Sequence, residues 1–130
     1  MYRIGDFLIQ LKNAYSAGKK TVEYPYSNVA ESIGKILEKE GYIEKITTKK
    51  AEKGERKFLI IELKYDGRIP AISDVKLVSK PSVHEYIAKN KLGRSVSTHG
   101  VSIISTSQGM MTNRDAIKKG VGGELICRVF

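Results

Sequence analysis

Ile4, Phe7, Leu8, Leu11, Ala14 and Tyr15 recur at i, i+3, i+4, i+7 spacing. That spacing gathers them on one helical face and predicts a helix over 4–17. Gly18 is its expected stop. Lys19-Lys20 follow, then an extended stretch, Thr21-Val22-Glu23-Tyr24, ended by Pro25. Ser27 is placed to cap a second helix over 28–40. Val29, Ile33, Ile36 and Leu37 are its expected buried face, and Gly41 its end. The period then changes from helical to alternating. Residues 42–48 and 57–65 read as strands, the second with Leu59, Ile61, Leu63 and Tyr65 on one face. Residues 49–56 form a charged turn containing Gly54, and Asp66-Gly67 is another turn signal.

The second half is poorer in helix. Residues 72–78 read as a strand running into Ser79-Lys80-Pro81-Ser82, and 83–87 as its resumption. Residues 89–99 are polar and basic, an expected exposed loop. Residues 101–106 are β-branched and strand-like. Thr112-Asn113-Arg114-Asp115 fits a capping pattern and opens a short helix to Lys119, stopped by Gly120. A terminal strand is expected over 124–130. The prediction is an α+β fold of two small lobes. Residues 1–67 place helices on a short sheet. Residues 68–130 form a β-rich lobe with one short helix.

Composition narrows the partners. The 130 residues carry 23 Lys+Arg against 14 Asp+Glu, a formal charge of +9. A free surface of that charge attracts polyanions, of which nucleic acid is the commonest in cells. Residues 1–65 hold 13 basic and 9 acidic side chains, and residues 66–130 hold 10 and 5. The second half has fewer charges and the stronger positive bias. No apolar run approaches the roughly 20 residues that span a bilayer, so no membrane partner is expected. Met1 to Asp6 lack an apolar core and a cleavage site, so neither a secretory signal nor a transit peptide is expected. The single cysteine, Cys127, rules out an intramolecular disulfide and a multi-cysteine zinc site. His84 and His99 have no carboxylates at ligand spacing, so neither a metal nor a cofactor is expected.

Three clusters could carry chemistry. Ser102 to Thr112 leaves a strand and enters a helix cap through hydroxyls and one glycine. Hydroxyls donate and accept, so they suit phosphates, 2′-hydroxyls and base edges of structured RNA. They equally suit satisfying their own backbone. Gly120-Val121-Gly122-Gly123-Glu124 permits close backbone approach, or is a tight turn. It lacks the Lys-Ser/Thr ending of a phosphate loop. Glu124 beside RNA would repel phosphate and accept from a base amino group. Tyr86, near Lys80, His84, Lys89 and Lys91, suits base stacking or a core position. Lys12-Asn13 falls on the polar face of the first helix. A hydrolase using Ser105 and His99 is the enzymatic alternative, and it lacks the G-x-S-x-G elbow. Cys127 sits in an apolar strand and reads as a packed thiol.

These residues also resemble a known family. Ser105-Thr106-Ser107-Gln108-Gly109-Met110-Met111-Thr112-Asn113-Arg114-Asp115-Ala116, followed by Gly120-Val121-Gly122-Gly123-Glu124, resembles the C-terminal signature of ribosomal protein eight of the small subunit. The likeness extends to Lys12-Asn13-Ala14, to Glu40-Gly41-Tyr42-Ile43 and to Ser79-Lys80-Pro81 followed by Tyr86. The resemblance implies a non-enzymatic, cytoplasmic protein of the ribosome that binds the central domain of small-subunit (16S) rRNA. It implies an RNA surface of Ser105, Thr106, Ser107 and Gly109, flanked by Tyr86, Glu124, Gly122, Lys80 and His84. Lys12 and Asn13 would touch a neighbouring rRNA segment. Ribosomal proteins five and seventeen of the small subunit are the implied neighbours. The messenger RNA of the protein's own operon is a further implied ligand, and a free mRNA-binding repressor is the alternative within the binding class.

The chain departs from the family pattern at Ser82, His84, Glu85 and Gln108, where the family usually carries Gly, Arg, an aliphatic residue and often Lys. The changes at His84, Glu85 and Gln108 each remove positive charge or add negative charge, and phosphate contacts dominate salt-dependent affinity. The isolated chain is therefore expected to bind more weakly than a typical member. The double variant Gln108→Lys, His84→Arg is expected to tighten binding to a central-domain rRNA fragment and to steepen its salt dependence, read by filter binding. Unchanged affinity would remove charge from the explanation.

Overall fold

A computed structural model describes residues 3–50, 56–78, 86–88 and 100–130. The expectations at 51–55, 79–85 and 89–99, including Lys80, Ser82, His84, Glu85 and His99, lie outside the described residues. The described chain divides into two compact units, residues 3–73 and 74–130.

The first unit runs α1 (Arg3–Ser16), β1 (Thr21–Pro25), α2 (Asn28–Lys39), β2 (Ile43–Lys50) and β3 (Lys57–Leu63). A small hairpin follows, β4 (Tyr65–Asp66) and β5 (Ile69–Pro70), turning at Gly67 with φ 63°. β3 is the centre of an antiparallel sheet of order β1-β3-β2. The apolar stripe of α1 is buried at Phe7, Leu8, Leu11, Ala14 and Tyr15. The helix ends where Gly18 takes φ 70° and the Lys19 N–H donates to the Ala14 carbonyl at 3.0 Å. Phe7 meets Tyr24 of β1 edge-on, ring centres 5.0 Å apart.

α2 starts at the Ser27 cap, whose side chain accepts from the Ala30 N–H at 3.0 Å. Its buried face differs from the expected one. Ala30, Ile33, Gly34 and Leu37 are buried, whereas Val29 is 37% exposed and Ile36 is half-buried. The cause is close approach to the sheet. A Cβ on Gly34 would overlap Ile46 Cδ1, so the helix turns its smallest residues toward β2. Glu38 also accepts from the Ile46 N–H at 2.8 Å, tying α2 to this edge strand.

β2 carries a register shift between Ile43 and Lys45. The extra residue, Glu44, lets Ile43 and Ile46 share the helix-covered face despite their odd spacing. β3 stops at Leu63 and does not continue through Tyr65. The next N–H, of Lys64, donates to the Tyr15 hydroxyl at 3.1 Å. Tyr65 turns its ring against Tyr15, centres 5.3 Å apart.

The second unit runs β6 (Val75–Leu77), β7 (Tyr86–Ile87), β8 (Val101–Thr106), β9 (Gly109–Thr112), α3 (Asn113–Lys119) and β10 (Gly123–Val129). The sheet order is β6-β10-β8-β9, with β7 also paired to β10. Two elements differ from the sequence reading. The strand expected over 72–78 is confined to β6, and just before it the Asp74 carboxylate accepts from the Val75 N–H at 2.9 Å. The hydroxyl-rich connection contains a strand, β9, that pairs with β8. Ile104, Met111, Ala116 and Leu125 form the core under α3. Thr112 caps α3 by accepting from the Asp115 N–H at 3.2 Å, and Gly120 ends it at φ 67°.

Two expectations follow from burial. The Tyr15 hydroxyl donates to the Tyr42 carbonyl at 2.6 Å while accepting from Lys64. Tyr15→Phe removes both of these bonds, and urea unfolding is expected to show a loss of about 1–3 kcal/mol. Cys127 is fully buried, and burial pushes its thiol from 9.0 up to about 12. The folded thiol keeps its proton while the unfolded one ionises, so this group's contribution is full below about pH 9 and lost as pH rises toward about 12. A thiol reagent at neutral pH is expected to label Cys127 only with denaturant present.

Candidate nucleic-acid interface

Gly123 sets the geometry of the second unit's open end. A Cβ there would run into the backbone carbonyl of Ser105, so only glycine lets β10 lie this close to β8. The next residue, Glu124, then pairs with Ser105 on one side and with Tyr86 on the other. Ser105 in turn pairs with Met110 of β9. Residues directly opposite each other in a sheet share a face. Tyr86, Glu124 and Ser105, drawn from three strands, therefore form one row across it.

The row faces away from the α3-covered core, which is built on Ile104, Leu125 and Met111 of the other face. Along β8, Val101 and Ile103 are buried, and Ser105 on the same side is only half-buried. Tyr86 is 74% exposed. The core-tyrosine alternative for Tyr86 is thereby removed. A flat aromatic, a carboxylate and a hydroxyl at a sheet end offer a stacking surface, an acceptor and a donor-acceptor.

Ser107 and Gln108 form the exposed tip between β8 and β9. Neither takes positive φ, whereas Gly109 sits at φ 107°. Nothing lies within 4 Å of where its Cβ would be, so backbone conformation alone calls for glycine there. Thr106 is on the opposite face from the row. Its hydroxyl donates to the Gly109 carbonyl at 2.8 Å and accepts from the Gln108 N–H at 3.1 Å. Of the two readings open for these hydroxyls, self-satisfaction holds for Thr106. It shapes the tip that displays Ser107.

Gly122 is half-buried in the connection from α3 to β10. Lys12 and Asn13 are exposed on α1 of the first unit. Asn13 borders a cleft of about 410 Å3 with Gln10, Lys19 and Thr21. Two supporting residues escaped the sequence reading. Gly123, not Gly122, makes the close approach, and its placement directly before Glu124 was the available signal. Asn113, 2% exposed, accepts from the buried Ser102 N–H at 3.3 Å and pins the start of α3 to β8. Nothing in its local sequence marks it, since an asparagine after a capping threonine looks like an ordinary first helical residue. Arg114, Lys118 and Lys119 are exposed on the same helix. Among the described residues no group of His, Cys, Asp and Glu could hold a metal, and no helix is long and apolar enough to cross a membrane.

Known proteins match this chain along its length. The model of the family described as ribosomal protein S8 matches residues 3–130. The small ribosomal subunit protein uS8 of Dictyoglomus turgidum is 43% identical over 129 residues, covering 98% of this chain and 95% of its own length. The corresponding protein of a Synechococcus species is 41% identical over 129 residues, and that of Mycoplasmopsis synoviae 39% over 127. Both alignments cover 98% of this chain and 96% of the relative. The hydrolase alternative on Ser105 and His99 falls with these matches. The chain belongs to the ribosomal protein S8 family, whose role is structural and not enzymatic.

Proposed function

We propose that this protein is a structural constituent of the small ribosomal subunit that binds the central domain of 16S rRNA and holds its fold during assembly. The β-rich lobe, the unit of residues 74–130, docks on an irregular RNA helix core. The observation that carries the reading is the Tyr86–Glu124–Ser105 row beside the Ser107–Gln108 tip. Tyr86 stacks on an unpaired base, Glu124 accepts from a base amino group, and Ser105 and Ser107 bond base edges or 2′-hydroxyls. Thr106 and Gly109 hold the tip in shape, Gly123 holds β10 against β8, and Gly122 admits the RNA backbone. Lys80 and His84 neutralise phosphate, a role that rests on the family resemblance. Lys12 and Asn13 meet a neighbouring rRNA segment. Ribosomal proteins five and seventeen as neighbours, and the protein's own messenger RNA as a second ligand, rest on the family resemblance.

The test is binding to a central-domain rRNA fragment against a regular hairpin of equal length, across a salt series. Preference for the fragment is expected to survive rising salt, because shape and base contacts carry it. Glu124→Gln and Ser105→Ala are each expected to lower that preference by roughly 1–3 kcal/mol. Lys12→Ala is expected to weaken both RNAs and flatten the salt slope by about one ion. Equal binding of both RNAs that collapses with salt would reduce the interface to its charge.

A further inference from the structure

The first unit holds an aromatic and basic cleft that the interface above does not use. It lies at the end of the β1–β3 ladder, where Pro25 pairs with Phe58, and encloses about 840 Å3. That is within the range of sites for small ligands, about 300–1,000 Å3. Glu23, Pro25, Tyr26, Arg56, Lys57 and Phe58 line it. Its chemistry is divided in a regular way. Phe58 and Tyr26 are half-buried rings, while Arg56 and Lys57 are exposed cations. The Lys57 ammonium sits 5.5 Å from the centre of the Tyr26 ring. Tyr26 is held at two points. Its hydroxyl donates to Asn28 Oδ1 at 2.8 Å, and its backbone N–H donates to the Lys57 carbonyl at 3.3 Å.

We propose that this cleft is a second RNA site, taking one unpaired nucleotide of a single strand. The phosphate goes to Arg56 and Lys57, and the base lies against Tyr26, Pro25 and Phe58. A cation already placed over a ring brings phosphate and base to the same spot. Glu23 gives the site a preference. A carboxylate at the cleft is unfavourable beside phosphate and favourable beside an exocyclic amine, so adenine and cytosine suit it better than uracil. The same carboxylate makes an acidic peptide a poor occupant, although Arg56 and Lys57 alone would attract one. The site adds a single-strand contact to the first unit, apart from Lys12 and Asn13, and does not depend on the Tyr86–Glu124–Ser105 row.

The experiment uses the full chain and a labelled single-stranded oligoadenylate, read by fluorescence anisotropy and by ultraviolet crosslinking with peptide mapping. The wild type is expected to bind and to crosslink at Tyr26 or Phe58. Tyr26→Ala is expected to lose roughly tenfold in affinity, the scale of one base–aromatic stack, and Tyr26→Phe to keep most of it. Arg56→Glu, at an exposed position where folding is not at stake, is expected to weaken binding more than Lys76→Glu, an equal charge change on an exposed residue of the second unit. Crosslinks confined to the second unit overturn the site. So does equal loss from Arg56→Glu and Lys76→Glu, or a Tyr26→Ala protein that binds like the wild type. Absence of oligoadenylate binding beside intact, Glu124-dependent binding of the rRNA fragment also overturns it, and leaves the proposed function standing.

Discussion

The second unit depends on one close approach, the passage of Gly123 over the backbone carbonyl of Ser105. A side chain there would push β10 off β8. The ladder on that side runs from Glu124–Ser105 to Val129–Val101 with one bulge at Ile126, so a displaced start would propagate along it. Three consequences follow from the contact. Glu124 is delivered opposite Ser105. Tyr86, paired across the other edge of Glu124, joins the same row. Leu125 falls on the opposite face, where it completes the core with Ile104, Met111 and Ala116. Site and core are therefore built by the same residue, and neither can be moved independently of the other.

The first unit solves a different problem, that of ending a buried strand cleanly. Tyr15 does this from α1. Its hydroxyl binds the Lys64 N–H just past β3 and the Tyr42 carbonyl just before β2. One phenol thus satisfies two backbone groups at one end of the sheet, with its ring packed on Tyr65. Burial holds its proton more tightly than usual, which keeps the donor in place. Among the described residues the opposite end of the β1–β3 ladder shows no such plug. The aromatic and basic cleft is found there.

Local signals made much of this legible. Ser27 and Thr112 read as caps because the side-chain oxygen must find an N–H three residues on, and both do. Gly18 and Gly120 read as helix stops because the chain needs positive φ there, and both have it. Alternation gave the buried set Leu59, Ile61 and Leu63. What failed were cases in which a distant partner decides. Val29 satisfies helical spacing as well as Ala30 does, and which of them is buried depends on how α2 packs against β2, where Ile46 lies on Gly34. β9 carries no strand signal of its own, since the four residues Gly109–Thr112 are too few to show a period. The row of Tyr86, Glu124 and Ser105 involves three strands separated in sequence. Each member could be singled out by type, but pairing alone brings them together.

The hydroxyl cluster shows how chemistry and shape divide within a motif. Thr106 has its proton committed to the Gly109 carbonyl and one lone pair committed to the Gln108 N–H. What remains for a ligand is a single weak acceptor, so under the proposed function Thr106 acts on recognition through the turn. Ser107 at the exposed tip and Ser105 in the row carry the hydroxyls presented outward. Between them and Tyr86 stands Glu124, a negative charge in the lobe with the stronger positive bias. In such a field a carboxylate lowers affinity for any RNA that presents only phosphate. Only an RNA that offers an amino group at that point recovers the loss. In the single-strand site proposed for the first unit, Glu23 carries the same logic. A basic surface that binds every RNA becomes selective through the few places where it refuses a phosphate.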